Sequence, residues 1–315
     1  MSMSIEQWQQ SGNFLTYRRF GIDYRIFYKD SAKNSLQDIG KPALLLIHGF
    51  PTASIDWQHI WPGLSAHFRL VTLDMMGFGF SDKPREYPYS IHDQADIFQT
   101  LLNELDIHNY HILAHDYGDT VAQELLARQH ERTQQERTQQ ERRSLALTGN
   151  IHSIILLNGG LFPETHRPVL MQKLLISPLG SWLIKLYTFK KFKKTFSDIC
   201  KKNIAEEELS IYWQLLNYND GSRVMPKLIR YMQERKYYRQ RWVGALENSR
   251  IPLRLINGTA DPISGLHMVE RYQQLINNSD VVLLNDVGHY PQVESPQDVI
   301  AAALDFWRMH RVINK

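Results

Sequence analysis

The segment YHILAHDYGDTVAQELLAR, residues 110–128, contains the turn around which the rest of this chain can be interpreted. Its apolar run at 112–114 predicts a short buried strand, and the apolar residues at 121, 122, 125 and 126 have the spacing of a helix. Between them, small residues stand two places on either side of Asp116. This spacing is typical of a nucleophile elbow, a strained strand-to-helix turn whose central residue is usually serine. An aspartate at this place indicates a different chemistry.

Strands and helices alternate on both sides of this turn. Apolar runs predict strands at 43–49, 70–73, 111–115, 151–157, 252–257 and 280–284, and helical spacing predicts helices at 91–105, 119–130, 265–276 and 296–309. Such alternation is typical of an α/β protein with a doubly wound, mostly parallel sheet. Residues 162–246 contain no clean strand, so we predict a helical cap inserted after the strand at 151–157, which we count as strand 6 of the complete sheet although it is the fourth of these apolar runs. The core is then residues 1–161 and 247–315, with the cap over the sheet edge where such proteins bind ligands.

Composition excludes several classes of protein and partner. The 36 basic and 33 acidic residues nearly balance, so nucleic acid is not an expected partner. The single cysteine, Cys200, excludes an intrachain disulfide and a cysteine-cluster metal site. The polar start and the absence of a run of about 18 apolar residues lead us to expect a cytoplasmic protein. The tandem repeat ERTQQERTQQER at 131–142 predicts a solvated helical extension.

Three further motifs fall at the ends of predicted strands, on the same sheet edge as Asp116. HGFP at 48–51 follows the first apolar run, where the N–H of Phe50, with that of Tyr117, would form an oxyanion hole. Asp261 in NGTADP and His289 in VGHYPQ follow two later strands. The order nucleophile, acid, histidine predicts a catalytic triad of Asp116, Asp261 and His289.

These motifs carry a family resemblance. The segments LLLIHGFPTASIDW, DMMGFGFSDKP, AHDYGDTVAQ, NGTADP and VGHYPQVESP resemble the α/β-hydrolase superfamily, in the branch of epoxide hydrolases and haloalkane dehalogenases that use an Asp nucleophile. NGGLFPETHRP at 158–168 and RYMQERKYYRQRWVGAL at 230–246 resemble most closely the mesoderm-specific transcript group. The resemblance covers nearly the whole chain from about residue 14, apart from the ERTQQ repeat, and implies an α/β-hydrolase fold without cofactor or metal.

An aspartate nucleophile suits attack on a saturated carbon. A carboxylate is ionised at neutral pH without a base, and the ester that it forms can be hydrolysed afterwards. We expect Asp116 to form this ester and His289, oriented by Asp261, to activate the water that hydrolyses it. The expected substrate is a small hydrophobic molecule, most plausibly an epoxide.

Two other functions stay open at this point. Haloalkane dehalogenases typically carry a Trp directly after the nucleophile and often an Asn after the HG, whereas this chain has Tyr117 and Phe50. That departure counts against dehalogenation. The third hypothesis is a catalytically silent binding or scaffold protein that keeps the fold. The sequence does not predict the oligomeric state.

The remaining site residues are less specific. The resemblance implies cap tyrosines that protonate the epoxide oxygen, for which Tyr231 and Tyr187 are the candidates. Glu164 is an alternative acid partner for the histidine, with a surface salt bridge as its other interpretation. Trp57 and His115 are expected to line the substrate pocket, unless they only pack the loop and the elbow.

One basic segment lies within the cap. KLYTFKKFKKTFSDICKK at 185–202 interleaves seven lysines with aromatic residues. We expect a cap helix with a solvated basic face, and peripheral contact with an anionic membrane surface is the less favoured alternative.

Overall fold

A mostly parallel sheet runs through the centre of the protein. The computed structural model describes residues 3–34, 38, 40–137 and 149–314. Its strands are β1 (Asn13–Arg19), β2 (Ile22–Asp30), β3 (Ala43–Ile47), β4 (Arg69–Leu73), β5 (Asn109–His115), β6 (Asn150–Leu157), β7 (Leu253–Gly258) and β8 (Asp280–Leu284). Their order across the sheet is β1-β2-β4-β3-β5-β6-β7-β8. Strand β2 is antiparallel to both β1 and β4, and the other described neighbours are parallel.

Both faces of the sheet are covered, which explains why the central strands are apolar throughout. In β3, Leu45 and Ile47 belong to a large core cluster on one face, and Leu44 and Leu46 belong to a smaller cluster on the other. A strand buried on both faces needs no polar alternation. The predicted α/β class and doubly wound sheet are confirmed, whereas the β1–β2 hairpin was missed.

Helices flank the sheet and form the insert. They are α1 (Ile5–Gln10), α2 (Trp61–Ser65), α3 (Ile91–Glu104), α4 (Tyr117–Arg137), α5 (Leu170–Ile176), α6 (Gly180–Leu183), α7 (Phe189–Ile199), α8 (Glu206–Asn217), α9 (Met225–Leu228), α10 (Tyr231–Tyr237), α11 (Arg239–Glu247), α12 (Leu266–Leu275), α13 (Pro291–Glu294) and α14 (Pro296–Met309). Helices α5 to α11 lie between β6 and β7, as the predicted insert after strand 6 requires. The exact cap boundaries at 162 and 246 stay a prediction.

Two sequence expectations concern particular helices. Helix α4 continues into the charged repeat as far as Arg137, and the rest of that repeat lies outside the described residues. Within the described part of the chain, no helix is both long and apolar enough to cross a membrane.

Candidate active site

The elbow at Asp116 has the strained geometry that its spacing predicts. Strand β5 ends at His115, Asp116 has a φ of +49°, and α4 begins at the next residue. A non-glycine residue in this left-handed region is strained and needs support from its surroundings. Part of that support is the close packing of α4 on β3, because a Cβ on Gly118 would lie 2.2 Å from the carbonyl oxygen of Ile47. The carboxylate is thereby held at the end of the strand.

The two oxygens of the Asp116 carboxylate face different donors. Oδ2 accepts a hydrogen bond from the backbone N–H of Phe50 at 3.1 Å. Oδ1 lies 3.5 Å from the hydroxyl of Tyr231, which donates to it, and 3.8 Å from Nη2 of Arg235. Since the N–H of Tyr117 is the first of α4, it has no partner within the helix and is available beside Phe50. The carboxylate thus has one oxygen in a backbone cradle and the other beneath the cap.

His289 and Asp261 form a buried pair. Nδ1 of His289 lies 2.8 Å from Oδ2 of Asp261, so this contact occupies Nδ1 and not Nε2. Burial alone would lower the pKa of His289, but the carboxylates of Asp261, Asp116 and Glu294 outweigh it and raise the pKa to about 9. The contribution of Asp116 means that its charge acts directly on the imidazole. The structure therefore brings the three predicted triad residues together.

Asp261 is fixed by donors besides the imidazole. Its Oδ2 accepts from Asn158 Nδ2 at 2.9 Å and Ser264 Oγ at 2.8 Å, and its Oδ1 accepts from the N–H of Ile263 at 2.7 Å. Burial would raise the pKa of Asp261, but His289 and these donors hold it at about 2. The acid is thus ionised and rigidly oriented, with Asn158 as a supporting residue that the sequence interpretation did not identify.

Arg235 is the most prominent functional candidate that the sequence interpretation missed. It is only 3% exposed, donates from Nε to Thr120 Oγ1 at 2.7 Å and from Nη2 to the carbonyl oxygen of Asp116 at 2.9 Å. Its guanidinium carbon also lies 4.5 Å from the ring centre of Tyr231. The i,i+4 spacing in RYMQER places both residues on one face of α10 and was the available signal.

His166, from FPETHRP, lies next to Arg235. Burial and the Arg235 guanidinium lower the pKa of His166 to about 4, so its imidazole is neutral near pH 7. Neither of its ring nitrogens, nor Nη1 of Arg235, has a hydrogen-bond partner among the described residues. These three nitrogens are therefore hydrogen-bonding groups near Asp116 without a partner among the described residues.

Three predicted site residues are placed elsewhere. The hydroxyl of Tyr187 donates to Thr195 Oγ1 at 3.2 Å, and no described contact joins it to Asp116. Glu164 bonds to Arg239 and Arg271 at the surface, with its pKa lowered to about 2 chiefly by Arg239, and Asp261 takes the place beside the histidine. Trp57 is fully buried in the smaller core cluster. No described contact joins these three side chains to Asp116, and the roles expected of them stay predictions.

His115 and Tyr117 have supporting positions. Nε2 of His115 lies 2.8 Å from the carbonyl oxygen of His289, and its ring packs against the rings of His289 and Tyr290. It therefore supports the loop that carries His289, and its predicted place in a substrate pocket stays a prediction. The Tyr117 ring lies 4.6 Å from that of Tyr231, centre to centre, and forms a wall beside Asp116.

The site is closed in this structure. Asp116 and His289 are each 2% exposed, and Tyr231 is 1% exposed. Burial lowers the local dielectric constant and so strengthens the charge interactions within the site. It also means that a substrate can enter only when cap side chains move aside.

Comparisons with known proteins identify the family and the fold. A family model described as alpha/beta hydrolase fold matches residues 42–296. The mesoderm-specific transcript protein of Mus musculus is 42% identical over 97% of this chain and 88% of that protein. Epoxide hydrolase CorEH superposes with a TM-score of 0.70 at 18% identity, covering 95% of this chain and 100% of that chain. A loop variant of haloalkane dehalogenase DbeA from Bradyrhizobium elkanii gives 0.71 at 19% identity, covering 95% and 97%. The two structures show the fold alone, and the expected family resemblance is confirmed.

Proposed function

Because the chain belongs to the α/β-hydrolase family, we propose that it is a hydrolase that opens an epoxide through a covalent ester on Asp116. One observation carries the proposal: the two oxygens of the Asp116 carboxylate face two different donors, the Phe50 N–H and the Tyr231 hydroxyl. The first suits an oxyanion formed on the ester carbonyl, and the second suits a leaving oxygen. Opening an epoxide needs the proton donor, and hydrolysis of the resulting ester needs the oxyanion donor.

In the first step, Oδ1 of Asp116 attacks an epoxide carbon. The C–O bond to the ring oxygen breaks, its electron pair goes to that oxygen, and Tyr231 supplies the proton. Burial and the Asp116 carboxylate raise the pKa of Tyr231, which would make it a poor acid. Esterification removes the charge of Asp116, and the Arg235 guanidinium, 4.5 Å from the ring centre, stabilises the phenolate that the transfer leaves. Arg235 thus stabilises Tyr231 in this step, and the step needs no second proton donor such as Tyr187.

In the second step, His289 removes a proton from water, and the hydroxide attacks the carbonyl carbon of the ester. The N–H groups of Phe50 and Tyr117 hold the tetrahedral oxyanion, each worth about 3 kcal/mol in comparable sites. When the intermediate collapses, the C–O bond to the product breaks, its electron pair goes to the product oxygen, and that oxygen takes the proton held by His289. The proton of the resulting Asp116 carboxylic acid returns to the Tyr231 phenolate, so that the diol leaves, Asp116 regains its carboxylate and Tyr231 its hydroxyl. His289 must be neutral to act as this base, and the loss of the Asp116 charge on esterification lowers its pKa.

Dehalogenation is the alternative within the same chemistry. A halide needs N–H donors and no proton, whereas the Tyr231 hydroxyl at Oδ1 is a proton donor. This favours the epoxide. The silent binding or scaffold protein differs from both in forming no adduct.

The test is intact-protein mass spectrometry of the His289→Gln variant after exposure to a panel of epoxides and haloalkanes. The variant should accumulate an ester because it forms the bond but cannot hydrolyse it. An epoxide adduct that maps to Asp116 and disappears in the Asp116→Asn/His289→Gln double variant is expected. An adduct with haloalkanes only would replace epoxide opening by dehalogenation. The absence of any adduct would contradict the covalent mechanism for these substrate classes and favour the scaffold.

A further inference from the structure

The cap exposes four large apolar side chains, which is unfavourable where a surface contacts only water. Leu170 is 72% exposed, Leu179 64%, Trp182 59% and Leu186 48%. They lie on α5, on α6 and its N-terminal flank, and on the turn after α6, within a short length of chain. We call these four residues the cap apolar patch. Two of them, Leu170 and Leu186, border one recess, and exposed apolar surface of this kind usually marks an interaction site.

An apolar recess opens within the same patch. Leu170 and Leu186 line a cavity of about 330 Å³ together with Leu174 and Leu183, and Lys191 lies on its wall. The surface patch is therefore continuous with an apolar interior. Lysine lies at its border, where a long stem can stay on apolar surface while the ammonium reaches polar groups.

The segment that carries the patch has a strong positive charge. Residues 169–202 contain eight lysines and one acidic residue, Asp198, a net charge of +7. The whole chain has a net charge of +3, so the remainder is negative by four charges. Helix α7 buries Phe192, Phe196 and Ile199, which turns its lysines toward solvent. Two of them pair with Glu206 and Asp198, which leaves a large excess of positive charge.

We propose that the cap apolar patch docks on the surface of a bilayer that contains anionic lipids. Exposed Trp and Leu insert at the level of the head groups, and lysines around them attract phosphate and carboxylate groups. Charge selects this occupant over a second copy of the chain, because two such faces would oppose +7 with +7. The remainder of the protein, being net negative, would be repelled by the same membrane, which orients the cap toward it.

The experiment is cosedimentation of the full chain with phosphatidylcholine vesicles with and without phosphatidylserine, at low and high salt. Binding should require phosphatidylserine and should weaken as salt rises. Trp182→Ala with Leu179→Ser should weaken binding about tenfold, and Lys185→Glu with Lys190→Glu at least about tenfold. All four residues are exposed, so their urea unfolding midpoints should match that of the unchanged protein.

Tyr237→Ala is the matched control, since Tyr237 is 82% exposed but lies on α10 outside the patch. Its binding should equal that of the unchanged protein. Absence of binding to phosphatidylserine vesicles, or equal weakening by the control and patch variants, would overturn the proposal. So would a concentration-dependent dimer, measured by sedimentation velocity, that the patch variants abolish, because the patch would then cover a second copy. The assay contains no epoxide, so its result is independent of the proposed chemistry.

Discussion

Replacement of Asp261 by Asn should lower the pKa of His289 from about 9 to 6.5 or below. Burial is the largest single influence on the pKa of this imidazole and lowers it. The variant removes the Asp261 carboxylate, which is the strongest influence in the opposite direction. The difference between 9 and 6.5 corresponds to about 3 kcal/mol that favours the imidazolium in the folded protein. The imidazole of the variant should therefore be mostly neutral near pH 7.

The same shift predicts a pH dependence of stability. Because the folded pKa of His289 is raised, its contribution is complete below pH 6.5 and is lost as pH rises through about 9. The pKa of Asp261 is lowered, so the pair also weakens as pH falls from 3.8 through about 2. Between these limits the unchanged protein should gain up to about 3 kcal/mol from the pair. The variant should lack the loss at alkaline pH.

Two measurements check this prediction. Nitrogen-detected NMR titration gives the pKa of His289, with the resonance assigned by His289→Gln, and urea unfolding across the same pH range gives the free energy. Asp286→Asn is the control, because Asp286 is exposed and lies in the turn before His289. This substitution should change neither the pKa of His289 nor the pH dependence of the free energy of unfolding. A pKa of His289 near 9 in the Asp261→Asn variant, or near 6.5 in the unchanged protein, would refute the reasoning.

Three further outcomes are expected. Tyr231→Phe should slow epoxide labelling of the His289→Gln variant by about 100-fold without slowing haloalkane labelling, because only the epoxide oxygen needs the proton. Time courses by mass spectrometry measure both rates, and an equal decrease in the two rates would contradict this role of Tyr231. Gly118→Ala should destabilise the protein by about 1–3 kcal/mol in urea unfolding, since its Cβ would meet the Ile47 carbonyl, whereas Gly244→Ala, with open space around it, should not destabilise. Arg235→Lys should keep the charge yet cost about 1–3 kcal/mol, because an ammonium cannot reproduce both guanidinium hydrogen bonds; unchanged unfolding would contradict this.

Local patterns predicted the central strands well and the sheet margin poorly. Strands such as β3 and β5 are buried on both faces, so each appears in the sequence as a continuous apolar run. In β1 the buried residues Leu15 and Tyr17 alternate with exposed ones, so the strand contains no continuous apolar run. A period of two was present there, but a search for apolar runs cannot detect it.

The cap shows why residue type alone does not assign a role. Tyr231 and Tyr187 are both buried cap tyrosines, yet of the two only Tyr231 has a described contact with Asp116. Trp57 and Trp182 are the same residue type, yet the first is fully buried and the second is 59% exposed. Orientation in a helical insert depends on contacts between helices that are far apart along the chain.

The common location of Asp116, Asp261 and His289 could be predicted from the amino-acid sequence, because each follows a strand and the ends of parallel strands meet at one edge of the sheet. The backbone cradle at Phe50 follows from the same rule. Tertiary packing determined which cap groups approach Asp116, namely Tyr231 with Arg235. Spacing of i,i+4 shows that two side chains share a helix face, but only the packing of α10 on the core determines what that face meets.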